Sequence, residues 1–221
     1  MTTYQRIAYY PKIIKLLDTY KVGGLMSVFT KIKKYIAANV YLRKYLCYEM
    51  DTGLPIQGVY SKLPVSIEMN SRDEVIKWIS TKIYNGRYYK EEDIEAGIAI
   101  TNSHYFPCVK MDREIIGFMK VGCNDVYIKN FNKIYSVSKR SAFIYSVYVD
   151  PKYRNLNVAS VLISDTVNNL KALGFSKISM HIRSTNVSSI RVFTKLGAKK
   201  TGMVLQLKCF GLNIFTKPQV S

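Results

Sequence analysis

A change in the spacing of apolar residues marks the middle of the chain. β-Branched and aromatic residues run from Phe143 to Val149 and stop at Asp150-Pro151, which predicts a strand followed by a turn. From Val158 to Leu173 apolar positions recur at helical intervals and Gly174 follows, which predicts an amphipathic helix with a glycine cap. Ser176 to Arg183 then alternates, and this alternation predicts a second strand.

Weaker patterns of the same kinds occur on both sides of this unit, and together they predict an α/β (α+β) fold. The predicted elements are a linker from Cys47 to Lys62, a strand from Val65 to Met69, a helix from Ser71 through Trp78, a helix starting near Glu91, a hairpin of Phe106 to Met111 and Ile115 to Val121, a polar connection from Cys123 to Ser141, and closing strands Met203 to Leu207 and Leu212 to Phe215.

Residues 4 to 46 have the pattern of a basic, tyrosine-rich extension with two helical pieces separated by Gly23-Gly24. The second piece carries large apolar residues from Leu25 to Ile36 at three- and four-residue intervals, with Lys31, Lys33 and Lys34 among them. Such a helix either packs on the neighbouring domain or lies on an anionic membrane, and both interpretations stay open. Nucleic acid is disfavoured as a partner, because no aromatic-basic binding module accompanies the helix.

The formal net charge of +18 implies an anionic partner, which is a phosphorylated cofactor, an acidic lipid surface or nucleic acid, unless the charge reflects drift in composition alone. The four cysteines are scattered, so neither a disulfide framework nor a zinc site is indicated. The sequence shows no secretion signal and no apolar run of bilayer-spanning length. We therefore expect a cytoplasmic protein, with peripheral contact at the inner membrane face through residues 1–46 as the open alternative. The sequence does not predict an oligomeric state.

The turn between strand and helix has the features of an anion site. A strand that delivers a loop to a helix N-terminus leaves the first N–H groups of the helix pointing outward, where a phosphate can accept from them. Here that anchor is the loop from Asn155 to Ser160, with Arg154 beside it.

Two motifs in this region resemble the GCN5-related N-acetyltransferase (GNAT) superfamily. Arg154 to Ala159 is similar to its Gln/Arg-x-x-Gly-x-Gly/Ala loop, with Asn157 where the family has glycine. If the glycine serves a positive φ, asparagine is the least costly replacement. Asn186 to Ala198 resembles the family's Asn-x-x-Ala-x-x-x-Tyr-x-x-x-Gly-Phe segment, with Phe193 where the family often has tyrosine.

The resemblance implies a GNAT fold, with a mixed central sheet flanked by helices over residues 63–221 and a basic helical extension and linker over residues 1–62. It implies acetyl-CoA or another acyl-CoA as co-substrate, and no metal. The cofactor-binding residues that it implies are Val147, Tyr148, Val149, Arg154, Asn155, Leu156, Asn157, Val158, Ala159, Ser160, Asn186 and Phe193.

The implied reaction is direct transfer of an acyl group to an amine of a small molecule or peptide in a ternary complex. Relatives that acetylate protein N-termini have a glutamate five residues before the motif asparagine, and His181 stands at that position. A histidine could serve there as the base, or could simply pack against a neighbouring strand. Phe193 cannot protonate the leaving thiolate. The alternatives are a membrane-surface acyltransferase that uses a longer acyl donor or a sugar- or lipid-linked amine, and a non-catalytic CoA-binding module.

Overall fold

The chain divides into two units by its internal contacts, and each is described by itself. The smaller unit is Met1–Arg43 with Gln206–Thr216, and the larger is Lys44–Leu205 with Lys217–Ser221. The structure, a computed structural model, describes residues 23–36, 40–54, 56, 59–69, 72–81, 83–84, 87–88, 104–128, 131, 133–209 and 212–220.

In the smaller unit, residues 23–36 form helix α1. Gly24 has φ 65°, and the hydroxyl of Ser27 donates to its carbonyl oxygen over 2.8 Å. One turn later the Thr30 hydroxyl donates to the Met26 carbonyl in the same way. The predicted second helical piece is thereby confirmed, while the predicted first piece, after Pro11, lies outside the described residues.

The remaining elements are numbered in chain order. The strands are β1 Val40–Asp51, β2 Ser66–Glu68, β3 Ile83–Tyr84, β4 Arg87–Tyr88, β5 His104–Tyr105, β6 Cys108–Met111, β7 Glu114–Cys123, β8 Asp125–Ile128, β9 Lys133–Ser136, β10 Ser141–Val149, β11 Lys177–Arg183, β12 Lys199–Cys209 and β13 Leu212–Val220. The helices are α2 Arg72–Ser80, α3 Val158–Ala172 and α4 Val187–Lys195, and a short 3-10 turn spans Pro151–Tyr153.

A mixed, mostly antiparallel sheet forms the centre of the larger unit. Its strand order includes β12-β1-β11-β10-β7-β6-β2, and β5 also pairs with β7. β10 and β11 run parallel, whereas β11 with β1 and β10 with β7 are antiparallel. The parallel pair is connected through α3, which is the crossover that such a pair requires.

The main core lies between this sheet and α3. Leu162, Ile163 and Leu170 from the helix are fully buried in one cluster with Ile178 and Met180 from β11. The alternation predicted for β11 and the helical period predicted for α3 are therefore confirmed. Gly174 follows the helix with φ 87°, a conformation in which glycine carries no steric penalty.

A smaller cluster joins α2 to the sheet. Val75, Ile76 and Ile79 are buried with Phe106 and Phe118, as expected for an amphipathic helix on a sheet. At its edge, the Lys110 ammonium lies 2.8 Å from a carboxylate oxygen of Glu68 and 2.6 Å from one of Glu74. This lysine links β2, β6 and α2.

The N-terminal strand corrects two sequence predictions. Helical character was predicted up to residue 46 and a linker from Cys47, and both are wrong for Val40–Asp51, which is a strand paired with β11. Tyr45, Tyr48 and Met50 are buried there, while interspersed basic residues obscured the pattern of a strand. The sheet thus includes residues that the sequence assigned to the extension and linker 1–62.

The segment expected to be a polar connection, Cys123 to Ser141, contains the hairpin β8–β9. Val126, Ile128 and Phe131 are buried in a third cluster with Tyr45 and Phe143. The structure therefore gives this segment a packed apolar side that the sequence analysis missed. The helix predicted near Glu91 lies outside the described residues.

Candidate functional site

Strands β10 and β11 separate at one end of the sheet. Their paired register covers Ser141–Ile144 against Lys177–Met180, and a bulge interrupts β10 between Ile144 and Ser146 on its other side. Both strands continue past this point, β10 to Val149 and β11 to Arg183. The separation leaves a gap between two parallel neighbours, where an extended chain can add along β10 as another strand would.

A compact loop follows β10 and leads into α3. The Asp150 carboxylate accepts from the Lys152 N–H over 3.1 Å and starts the 3-10 turn. Asn155 and Asn157 then adopt left-handed backbones with φ of 63° and 62°. Asn157 thus has the positive φ for which asparagine is the least costly replacement of glycine, and α3 begins at the next residue.

Residues 60–62 support the back of this loop. The Lys62 N–H donates to the Leu156 carbonyl over 3.2 Å, and the Asn157 side-chain amide lies 3.5 Å from the Tyr60 carbonyl. Leu156 itself packs against the main core. Its side chain therefore belongs to the fold, and Leu156 is absent from the residues that line the adjoining groove.

A groove of about 460 Å³ opens between the end of β10, the loop, and the faces of α3 and α4. Eleven of the twelve residues predicted to bind the cofactor line it, and Leu156 is the exception. The lining residues are Val147, Tyr148, Val149, Tyr153, Arg154, Asn155, Asn157, Val158, Ala159, Ser160, Ile163, Asn186, Ser188, Ser189, Val192 and Phe193.

The electrostatics of the groove favour an anion. Among its lining residues Arg154 alone carries a charge; its Nε donates to the Val149 carbonyl over 3.1 Å, and its guanidinium lies 5.8 Å from the centre of the Tyr148 ring. The first helical bond of α3 runs from the Val161 N–H to the Asn157 carbonyl. The preceding amides, which include those of the groove-lining Val158 to Ser160, are therefore available to an external acceptor.

Asn186 has a structural role in addition to the one that the resemblance implies. Its side-chain oxygen accepts from the Ser189 N–H over 3.2 Å and from the Ser188 hydroxyl over 2.9 Å, so it caps α4. Asn186 also lines the groove, and Phe193 lies buried two turns further along the helix.

Five lining residues were not predicted: Tyr153, Ile163, Ser188, Ser189 and Val192. Helix geometry contained a signal for two of them. Ile163 lies four residues after Ala159, and Ser189 lies four residues before Phe193, so each shares a helix face with a predicted residue. Projecting the motif residues along their helices would have found both.

His181 is not among the residues that line the groove. Rings of Phe131, Tyr135 and Phe143 surround its imidazole at 5.0 to 5.8 Å between centroids. Burial lowers the pKa of His181 to about 4, so the ring is neutral at pH 7. Its Nδ1 is buried and has no hydrogen-bond partner among the described residues.

Cys47 and Tyr145 pack against the cluster that contains Phe131 and Phe143, two of the rings around His181. Cys47 pairs with His181 across β1 and β11, and burial together with the Glu49 carboxylate raises the pKa of its thiol. Burial also raises the pKa of Tyr145. At neutral pH both groups therefore hold their protons.

The described residues contain neither a metal-ligand cluster nor a bilayer-spanning helix. No group of three or more His, Cys, Asp or Glu residues in the described part of the chain is placed to hold a metal ion. None of the helices within these ranges combines the length and apolarity that crossing a bilayer requires.

Comparisons with known proteins place the fold. The model of the acetyltransferase (GNAT) family matches residues 73–198, and no curated protein sequence matches the chain significantly. Among solved structures, a GCN5-related N-acetyltransferase from Sphaerobacter thermophilus is similar with a TM-score of 0.54 and 12% identity, over 87% of this chain and 59% of that one. A Drosophila protein is similar with a TM-score of 0.52 and 12% identity, over 81% and 55% of the two chains.

A conserved protein of unknown function from Staphylococcus epidermidis is also similar, with a TM-score of 0.55 and 7% identity, over 84% of this chain and 67% of that one. The chain thus spans little more than half the length of the Drosophila and Sphaerobacter proteins. At these identities the structural matches show a shared fold. Because the family model covers more than half of the sequence, the chain belongs to the acetyltransferase (GNAT) family.

Proposed function

We propose that this protein transfers an acyl group, most simply acetyl, from acyl-CoA to the amine of a small molecule or peptide. The observation that carries the proposal is the groove that runs from the end of β10, beyond its last paired residue with β11, to the loop at the start of α3. A pantetheine arm needs an extended slot, and a pyrophosphate needs main-chain donors at its end. The groove offers both in one place.

In this proposal the loop from Asn155 to Ser160 and Arg154 hold the pyrophosphate of the donor. The backbone of Val147 to Val149 binds the pantetheine, and Asn186 and Phe193 flank it from α4. A donor bound in this way presents a thioester to an incoming amine. The family's general use of acetyl-CoA supports this choice of donor.

The transfer is proposed to be direct. The amine nitrogen forms a bond to the acyl carbon, the carbon–sulfur bond breaks, the amine loses a proton and the thiolate gains one. A covalent route would need an activated nucleophile, and the raised pKa of Cys47 keeps that thiol protonated. Tyr148, which lines the groove, is a candidate proton source for the thiolate.

His181 is the proposed base because it stands where relatives carry a glutamate, and its Nδ1 makes no bond to the described residues. Burial lowers its pKa to about 4, which keeps the imidazole neutral at pH 7 but also makes it a weak base. The surrounding rings equally suit the packing role that the sequence left open. His181→Ala should lower turnover roughly 100-fold or more, with little change in acetyl-CoA affinity. Unchanged turnover would remove His181 from the mechanism.

Calorimetry with acetyl-CoA tests the donor site. We expect binding in the micromolar range, weakened at least about tenfold by Arg154→Gln, because a hydrogen bond between charged groups such as guanidinium and phosphate is worth roughly 1.5–3 kcal/mol. Arg72→Gln removes the same charge from an exposed position at the start of α2 and serves as the control. Absence of binding by the unaltered protein would rule the proposal out.

A CoA-binding module without activity is the second candidate, and the phenylalanine at position 193 favours it. Release of thiol from acetyl-CoA across a panel of small-molecule and peptide amines distinguishes the two. Tight binding with no thiol release beyond the rate in buffer would establish the binding module.

A further inference from the structure

The helix α1 exposes an unusual amount of apolar surface. Of the thirteen large hydrophobic side chains that are exposed among the described residues, six lie in this one helix. They are Leu25 at 65%, Met26 at 79%, Phe29 at 66%, Ile32 at 39%, Tyr35 at 44% and Ile36 at 46% exposure. Such a concentration marks a binding surface more often than an accident of composition.

All of these side chains except that of Met26 form one face. At about 100° per residue, Leu25, Phe29, Ile32 and Ile36 project in nearly the same direction, and Tyr35 adjoins them. The rest of the circumference carries three lysines together with Met26, Ser27 and Thr30. Lys31 and Lys33 lie on the two flanks of the apolar face, and Lys34 lies on the opposite side.

We infer that α1 binds the surface of an anionic membrane, with its apolar face among the acyl chains and its flanking lysines at the headgroups. Long basic side chains beside an apolar face can extend to headgroup phosphates while their stems stay in the apolar layer. The net charge of +18 of the whole chain acts in the same direction.

Two other kinds of binding partner fit α1 less well. A nucleic acid would satisfy the lysines but would leave Phe29 and its apolar neighbours in water. A second copy of the chain would cover the apolar face, but it would bring together two molecules that each carry a charge of +18. An anionic bilayer matches both the apolar face and the charge.

Vesicle flotation of the full chain tests the inference. The probes are vesicles of phosphatidylcholine alone and vesicles in which a third of the lipid is phosphatidylglycerol. We expect flotation with the anionic vesicles only, decreasing as salt is added. The triple change Lys31→Gln, Lys33→Gln and Lys34→Gln should reduce partitioning on the order of 100-fold, from roughly a factor of five per lysine.

A matched control separates the helix from the overall charge. Lys171→Gln, Lys199→Gln and Lys200→Gln removes the same charge from exposed positions on α3 and β12, and we expect less than about a fivefold loss. The pair Phe29→Ser and Ile32→Ser keeps every charge and should lose at least about tenfold, because two large apolar side chains no longer enter the bilayer. Circular dichroism and thermal unfolding check that each variant is folded.

Three results would each overturn the inference. One is no flotation of the unaltered chain with anionic vesicles. Another is an equal loss in the control triple variant and the helix triple variant. The third is binding to a short DNA duplex that needs the three lysines but is insensitive to the serine pair, which would assign the helix to nucleic acid. None of these results bears on acetyl-CoA binding, so the proposed transfer is tested separately.

Discussion

Asn157 turns the chain into α3 through a backbone conformation that most side chains avoid. A left-handed conformation costs an ordinary residue roughly 1–2 kcal/mol, and glycine and asparagine tolerate it best. Here the φ of 62° is followed directly by the helical residues that line the groove. The asparagine that stands where the family has glycine therefore suits the left-handed backbone of this position.

Replacement of this residue measures the strain directly. Asn157→Gly should leave the free energy of unfolding within about 0.5 kcal/mol of the unaltered protein, whereas Asn157→Ala should lower it by about 1 kcal/mol. Urea unfolding at neutral pH provides the values. Asn155→Ala, at φ 63°, should behave like Asn157→Ala; equal stability of the alanine and glycine variants would contradict the argument.

His181 makes stability depend on pH. With a pKa of about 4 in the folded state, it binds a proton less readily than the unfolded chain, whose histidines titrate near 6.5. Between these values the unfolded state holds more protons, so stability falls as the pH falls from 6.5 towards 4. The loss should approach about 3 kcal/mol in total.

The control for this effect is His181→Gln, which cannot titrate in this range. Denaturant unfolding at pH 7 and pH 5 should show a smaller loss of stability for the variant than for the unaltered protein. A loss of the same size in both proteins would mean that other groups are responsible.

Single residues also show how far the sequence predicts the site. Eleven of the implied cofactor residues line one groove, because a loop motif fixes backbone positions whatever the side chains are. Leu156 lies outside the lining because its side chain packs into the core. A sequence motif does not say to which side of the loop a side chain points. The rings around His181 come from β9, β10 and the segment after β8, and no local pattern could bring them together.

At the scale of elements, Lys110 holds α2 against β2 and β6 through its two carboxylate partners. Its side chain is 12% exposed, whereas those of Glu68 and Glu74 are 49% and 60% exposed. Because the carboxylates are well solvated, the bridge contributes modestly. Lys110→Met should lower the free energy of unfolding by about 1 kcal/mol, and high salt should shrink this difference.

A double-mutant cycle checks that the pairing itself causes the loss. In the Lys110→Met background, Glu74→Gln should have almost no further effect, although alone it should cost a few tenths of a kcal/mol. Additive losses from the two changes would contradict the bridge.

Elements with a strong local period were predicted well, and those defined by distant partners were not. α3 and β11 each carry an unbroken pattern on one face. β1 is basic and tyrosine-rich, so its strand identity depends on pairing with β11, which is far away in sequence. The hairpin β8–β9 is short and polar on one side, and its apolar side becomes visible only against the sheet.

At the scale of the whole molecule, binding of the donor should raise the free energy of unfolding. A ligand that binds only the folded state at 100 times its dissociation constant adds about 2.7 kcal/mol. For a chain of this length we therefore expect acetyl-CoA at that concentration to raise the melting temperature by roughly 5–10 °C. Differential scanning calorimetry measures the shift. Arg154→Gln at the same acetyl-CoA concentration should show a smaller one, and no shift in the unaltered protein would contradict a donor site.

The placement of β1 in the sheet affects how the protein is made. The residue after this strand, Thr52, donates its hydroxyl to the carbonyl of Phe175, which is 123 residues away. At ribosomal rates of about 5–20 residues per second, Phe175 is synthesised roughly 6 to 25 seconds after Thr52 and the end of β1. Meanwhile Tyr45, Tyr48 and Met50 stay uncovered on the nascent chain. We therefore expect the newly synthesised polypeptide to depend on chaperones. The yield of folded protein should rise when more chaperone is supplied during translation.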